Sequence, residues 1–183
     1  KIESGTELTL SDVYGANTGE VYVSGVDIFK SGILLKGNSF GFSVYKNAGY
    51  ISESELFETL YGELGSTWVD EKGTIYTAGS YLYWERRGKW NFVESLPENY
   101  YQANIGALAR GYISSISGNA SNDIVIAGGR NTLIHFNGIS WQQIGMEYSP
   151  NNPIIWYSVE QLNNLVLAVG FKDNKAIIIK LKR

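Results

Sequence analysis

Acid–base and nucleophilic chemistry near neutral pH starts from very few side chains, and this chain has a single imidazole, His135. A Ser-His-Asp triad or a two-histidine metal site would have to be built on it. His135 stands inside the apolar run Leu133-Ile-His-Phe136, and its counterpart in another repeat described below is Trp84, so packing sets the residue type there. With no cysteine, neither a thiolate nucleophile nor a thiolate metal site is available. Gly37-Asn-Ser-Phe-Gly41 has the spelling of a nucleophile elbow, yet that motif needs a strand-to-helix turn and this segment joins two strand-like runs. No catalytic residue, metal site or cofactor is assigned.

Glycoside hydrolysis would need two convergent acids. Asp12, Asp27, Asp70, Asp123 and Asp173 are scattered along the chain, and solvated turn roles suit all five. Asp123, directly before an apolar strand, reads as a turn cap bonded to its own backbone. The three arginines of a sialidase-like site would have to come from Arg86, Arg87, Arg110, Arg130 and Arg183, whose positions in the repeat do not correspond. Asn119–Asp123 could offer oxygens to calcium but follows neither the EF-hand nor the nonapeptide pattern. A non-enzymatic binding module is therefore the first reading. A carbohydrate-active enzyme, a glycoside hydrolase or lyase with acids meeting in a central channel, is the alternative.

Whatever binds must be held by the elements around it, and those are strands. In 183 residues, 44% are hydrophobic and 18% charged, with 21 glycines and 3 prolines, the profile of a folded chain rich in tight turns. The formal charge of −3 and pI near 5.2 give no electrostatic footprint for a phosphate backbone, so nucleic acid is not expected as a partner. No run reaches the length of a membrane span; Ile154–Gly170 is broken by Glu160, Gln161, Asn163 and Asn164.

Four segments repeat: Val21-Tyr-Val-Ser-Gly25, Ile75-Tyr-Thr-Ala-Gly79, Ile124-Val-Ile-Ala-Gly128 and Leu165-Val-Leu-Ala-Val-Gly170. Anchored on Ser24, Ala78, Ala127 and Ala168, they recur at intervals of about 54, 49 and 41 residues, near the 40–50 of propeller blades. Ser11–Gly25 aligns with Ser114–Gly128 as strand, polar turn, strand. Tyr81–Trp90 lies over Thr132–Trp141 as a third strand, a Gly turn and a Trp opening a fourth. Short ribbons that are apolar on both faces must be covered on both, which stacked blades achieve. The expected class is all-β, a β-propeller of four-stranded antiparallel blades. Four repeats, at about 6–47, 66–95, 111–145 and 154–183, lie in a single domain over 1–183, either as a four-bladed ring or as part of a larger one. A helix is expected only at Ser52–Leu64, where Ser52 and Glu55 could form a capping box.

The stretch 117–141, Ser-Gly-Asn-Ala-Ser-Asn-Asp-Ile-Val-Ile-Ala-Gly-Gly followed by Leu-Ile-His-Phe-Asn-Gly-Ile-Ser-Trp, resembles propeller repeats of secreted bacterial proteins related to the photosystem II assembly factor and to sialidase-like, non-catalytic repeats. The resemblance implies a propeller scaffold and an extracellular, cell-surface or periplasmic setting. A lipid anchor or a larger parent chain outside this sequence is compatible with it. Neither the Asp-box of sialidases nor the Trp-Asp signature of another propeller class is present.

The fourth repeat has no fourth strand, and Lys1-Ile-Glu-Ser4 matches the stretch after Trp141, so residues 1–4 are expected to pair with 176–182 and close a blade. Connections alternate between the two ends of a blade. The short a-to-b and c-to-d turns share one end, whereas the long connections near 46–65, 95–110 and 145–153 share the other with the b-to-c turns. Long loops on a rigid scaffold carry recognition. They place Tyr50, Phe57, Tyr61, Tyr100, Tyr101, Arg110, Arg130, Tyr148, Lys172 and Asp173 on one face, where aromatics with a few charges suit a protein or glycan ligand.

Overall fold

The structure is a computed structural model that describes residues 2–26, 32–47, 60, 62–93, 112–146 and 151–182. Two compact units divide the chain, Lys1–Phe92 and Val93–Arg183, and each contains two sheets. In the first unit, β1 (Thr9–Gly15), β2 (Val21–Val26), β3 (Gly32–Asn38) and β4 (Gly41–Asn47) form one meander. A second is formed by β5 (Leu64–Val69), β6 (Ile75–Gly79), β7 (Leu82–Arg86) and β8 (Lys89–Phe92). In the second unit, β9 (Ile113–Ala120), β10 (Asp123–Gly128), β11 (Leu133–Phe136) and β12 (Trp141–Gln143) make the third sheet. The fourth holds three strands, β13 (Ile155–Leu162), β14 (Leu165–Lys172) and β15 (Lys175–Lys182).

All ladders are antiparallel and every strand pairs with its neighbour in sequence. The four repeats thus fold as four separate sheets. Residues 2–4 carry no strand. The expected helix cannot run to Leu64, which opens β5, because Gly62 just before it is left-handed with φ 76°. Residues 52–59 of that segment lie outside the described residues.

The repeat has a common joint, located where the first strand of each sheet meets the end of the second. A β-bulge interrupts β1 between Leu10 and Asp12, β5 between Leu64 and Ser66, and β13 between Trp156 and Ser158, and the β9–β10 ladder shifts at Ala127/Gly128. Opposite each bulge stands a glycine, Gly25, Gly79, Gly128 or Gly170. A Cβ on any of them would come closer than 3.0 Å to the carbonyl oxygen of Thr9, Glu63, Tyr112 or Ile155, respectively. A bulge crowds one extra residue against the partner strand, and only a side chain of zero size fits there.

This register corrects the sequence alignment of the fourth repeat by one residue. Ser24, Ala78 and Ala127 pair with the residue after the bulge, and in the fourth sheet that place belongs to Val169, paired with Ser158, while Ala168 pairs with Val159.

The extra residue of the bulge is used. Ser11 Oγ donates to Ser24 O at 3.2 Å within its sheet and to Leu64 O of the next sheet at 2.6 Å. Ser114 repeats the bridge, reaching Ala127 O at 3.4 Å and Trp156 O at 2.6 Å. One residue on, Asp12 Oδ2 accepts from Thr67 N at 2.8 Å and Ser115 Oγ accepts from Val159 N at 3.1 Å. Further along β9, Ser117 Oγ accepts from Gln161 N at 3.0 Å and Asn119 Oδ1 from Asn163 N at 3.0 Å. First strands of consecutive sheets therefore lie side by side in each unit, joined by side-chain-to-backbone bonds instead of a ladder.

Apolar residues fill the space between sheets. In the first unit Tyr22, Leu34, Leu60, Leu64, Val69, Ile75 and Tyr83 form a core, joined at its margin by Tyr14 and Trp90. In the second unit, Val125, Ala127, Leu133, Ile154, Trp156, Val159, Val166 and Ala168 do the same. The b strands of the second and third sheets are buried along most of their length. The fourth sheet buries one face and exposes Tyr157, Leu167, Val169, Phe171 and Ile178 on the other.

Ser24 is fully buried and its hydroxyl oxygen makes no hydrogen bond among the described residues, whereas the equivalent places hold Ala78 and Ala127. An unsatisfied buried hydroxyl costs about 1 kcal/mol or more. Ser24→Ala is therefore expected to stabilise the protein by roughly 0.5–1 kcal/mol, read as a higher midpoint in urea unfolding; a lower midpoint would mean that the hydroxyl has a partner.

Candidate functional site

Both b-to-c turns and d-to-a connections come to the same end of the blades, as their alternation requires. Ser80 N donates to Glu63 O at 2.9 Å in the first unit. In the second, Asn131 N donates to Ile154 O at 2.8 Å and Asn152 Nδ2 to Asp173 Oδ2 at 2.7 Å. Of the residues expected there, the structure describes three. Arg130 is exposed on the turn between β10 and β11 with φ 53°. Lys172 and Asp173 lie at the turn between β14 and β15, and Asp173 is held by Asn152. Tyr50, Phe57, Tyr61, Tyr100, Tyr101, Arg110 and Tyr148 lie outside the described residues.

His135 does more than pack. Its Nε2 lies 2.7 Å from Asp123 Oδ1, and Asn119 Nδ2 donates to Asp123 Oδ2 at 2.8 Å. Asp123 is thus a partner of His135 on the next strand and of Asn119 across the turn, contacts that its expected place as a local turn cap did not include. Of the other carboxylates considered for catalysis, Asp12, Asp70 and Asp173 also have structural partners, and Asp27 lies outside the described residues. Asp12 joins two sheets through Thr67 N. Asp70 Oδ1 accepts from Lys72 N and Thr74 N, both at 2.8 Å, closing the turn after β5.

The opposite end of the second sheet carries a pocket of about 320 Å³ lined by Trp84, Arg86, Arg87, Lys89 and Asn91. Strand register places these side chains together. Trp84 pairs with Asn91 and Arg86 with Lys89 across the β7–β8 hairpin, and alternation sends all four to one face. Arg87 and Gly88 form the two-residue turn with φ 55° and 80°, as a hairpin of this twist demands.

Glu85 projects the other way and is buried. Gly88 N donates to its Oε1, and Tyr45 OH donates to Oε2 at 3.1 Å. The hairpin's carboxylate is thereby kept out of the pocket. Beneath Trp84 the aromatic row continues, since Trp84 pairs with Tyr76, whose ring lies 5.4 Å from that of Trp68. The cations of this hairpin were visible in the sequence as Arg86-Arg-Gly-Lys89; the missing signal was that a short turn, and not a long loop, would gather them.

A second polar–aromatic cluster, around Lys36, is already neutralised. Lys36 Nζ lies 2.6 Å from Glu20 Oε1 and over the rings of Tyr22 and Tyr45, at 5.6 and 5.5 Å. By contrast, among the described residues Arg86, Arg87 and Lys89 make no ion pair.

Burial, then the charges of Asp70 and Glu71, pushes the Tyr76 phenol up from 10.0 to about 12 against a smaller opposing pull from Arg86. Well below pH 10 the phenol is neutral in folded and unfolded chains alike. Above it the unfolded phenol ionises first, so this contribution to stability is lost as pH rises through about 12. Urea unfolding followed across that window should show a falling midpoint, and Tyr76→Phe should flatten the fall. An unchanged slope in the variant would remove Tyr76 from the account.

No protein-family model matches the chain, and no curated protein sequence matches it. A solved structure does: the WD40 domain of Pan2 from Neurospora crassa, with a TM-score of 0.54 over 89% of this chain and 11% sequence identity. The fold is that of a β-propeller. The chain spans 44% of the length of that relative. The likeness holds although the Trp-Asp signature is missing here, because it rests on four-stranded meanders following one another and not on shared residues. That likeness supports the propeller fold alone, and not the finer resemblance to photosystem II assembly factor-like and sialidase-like repeats.

Proposed function

We propose that the chain is a non-enzymatic recognition module, a propeller scaffold that holds a protein partner. One observation carries this reading. Along the adjoining first strands the polar side chains that catalysis would need are engaged in joining the sheets, as Ser11, Asp12, Ser114, Ser115 and Ser117 show. A carboxylate that accepts a backbone amide in a structural joint is poorly suited to exchange a proton with substrate. The surface, in contrast, carries beside an aromatic side chain cations that make no ion pair among the described residues, the composition of a protein-recognition hot spot. The setting proposed with it, an exported bacterial protein, rests on the sequence resemblance of residues 117–141.

Binding and turnover measured side by side test the reading. The immobilised chain is offered an array of peptides and an array of glycans, and both sets are then assayed for cleavage. Retention of peptides with no cleavage is expected. Hydrolysis of a glycan, lost on changing Asp12 or Asp123 to Asn in a variant that still folds, would overturn it in favour of the carbohydrate-active alternative.

A further inference from the structure

The β7–β8 hairpin concentrates positive charge in a chain whose formal charge is −3. Arg86, Arg87 and Lys89 line one open pocket with Trp84 and Asn91, and no carboxylate is among its lining residues that the structure describes. Like charges crowded on a surface repel one another unless an anion sits among them. Arg87 adds a second, independent sign. It occupies a left-handed backbone position, φ 55°, where Asn or Gly is the favoured choice in a two-residue hairpin and where other side chains carry a steric cost. Keeping an arginine there costs stability and adds a planar fork of donors at the rim of the pocket.

The shape of the site selects among anions. Two guanidinium groups present paired donors that match the oxygens of a carboxylate, and the ammonium of Lys89 adds a point charge. Trp84 offers an apolar face, and the Asn91 amide can pair with a backbone peptide group. Three cations gathered at one hairpin do not make the extended basic stripe that tracks a nucleic-acid backbone. We infer that this pocket binds an acidic peptide segment, with Glu or Asp carboxylates on Arg86, Arg87 and Lys89 and a neighbouring apolar side chain on Trp84. The inference rests on the reading of the chain as a protein-binding module and names its ligand.

The test uses the full chain and a short fluorescein-labelled peptide of Glu and Phe, followed by fluorescence anisotropy, beside a matched peptide with Lys in place of Glu. The acidic peptide should bind and the basic one should not, with affinity falling as salt rises. The double variant R86E/K89E should lose at least about tenfold in affinity, as expected when charge-assisted bonds are replaced by repulsion. R87N separates binding from folding: it should weaken binding severalfold while leaving the thermal midpoint unchanged or raised, because Asn suits the turn.

Equal binding of the two peptides, or unaltered binding by both variants, would overturn the inference and leave the protein-binding reading in place. Tighter binding of a phosphoserine peptide or of oligo(dT) than of the acidic peptide would overturn the choice of ligand. Failure of every peptide on the array together with glycan cleavage would instead remove the reading beneath it.

Discussion

Gly79→Ala should cost the protein about 3 kcal/mol or more, the largest effect expected of any single methyl group in the first unit. The added carbon would be driven into the Glu63 carbonyl, closer than 3.0 Å, with the carbonyl carbon of Glu63 and the Cα of Leu64 also within that distance. None of these atoms belongs to a flexible side chain, so the clash is relieved only by opening the bulge between Leu64 and Ser66. Opening it moves Leu64, a fully buried member of the core, and displaces the Leu64 carbonyl that accepts from Ser11. A methyl at this position therefore damages ladder, core and joint together. At roughly 2–4 °C per kcal/mol for a chain of this size, the thermal midpoint should drop by about 10 °C. Gly15→Ala is the matched control, for its Cβ would meet nothing within 4 Å, and it should shift stability by less than about 0.5 kcal/mol. Equal effects at the two positions would show that strand propensity, and not close approach, is what Gly79 supplies.

The second large effect is expected at Trp156. Its side chain is 1% exposed, the bulkiest of the fully buried set, and it packs with Val125, Ala127, Leu133, Val159, Val166 and Ala168. Truncation to alanine leaves a cavity that the flanking strands can close only by giving up their own registers, and such changes cost about 3–5 kcal/mol. Differential scanning calorimetry of Trp156→Ala should show this loss, with Trp156→Phe falling between variant and parent. The carbonyl of Trp156 still accepts from Ser114 whatever the side chain, so the loss measures packing alone. A cost below about 1 kcal/mol would mean that the core between the third and fourth sheets does not depend on this ring.

Much of the architecture was legible in the b strands. Ile124–Gly128 and Ile75–Gly79 read as continuous apolar runs with a small residue and a glycine at the end, and they are buried as such. Anchoring on the small residue misplaces the last repeat by one position. Ala168 and Val169 both precede Gly170, and only backbone crowding at the bulge, which depends on the partner strand, shows that the glycine is the fixed point. The helix expected over Ser52–Leu64 rests on a local capping pattern, but Leu64 belongs to a strand that is buried against the core.

The pocket escaped for a related reason. Trp84, Arg86, Lys89 and Asn91 alternate along two strands, so their common face emerges only once the hairpin register is known. A sequence scan drawn to long loops passes over a two-residue turn. Asp123 and His135 illustrate the same point from the other side, since partners twelve positions apart in sequence are brought within hydrogen-bonding distance by the β10–β11 ladder.

The fastening between neighbouring sheets has an evolutionary corollary. Each clasp is made of a hydroxyl at the kink of one strand and a main-chain oxygen at the kink of the next, so the first and third sheets bring the hook, Ser11 or Ser114, and the second and fourth bring the eye, the carbonyl of Leu64 or Trp156. The segment that carries its own fastening is therefore a pair of sheets, and tandem duplication of such a pair would bring hook and eye together without any matching substitution elsewhere. Lengthening or shortening of the series by pairs then leaves the clasp within each pair intact, while the turns at either end stay free to diverge.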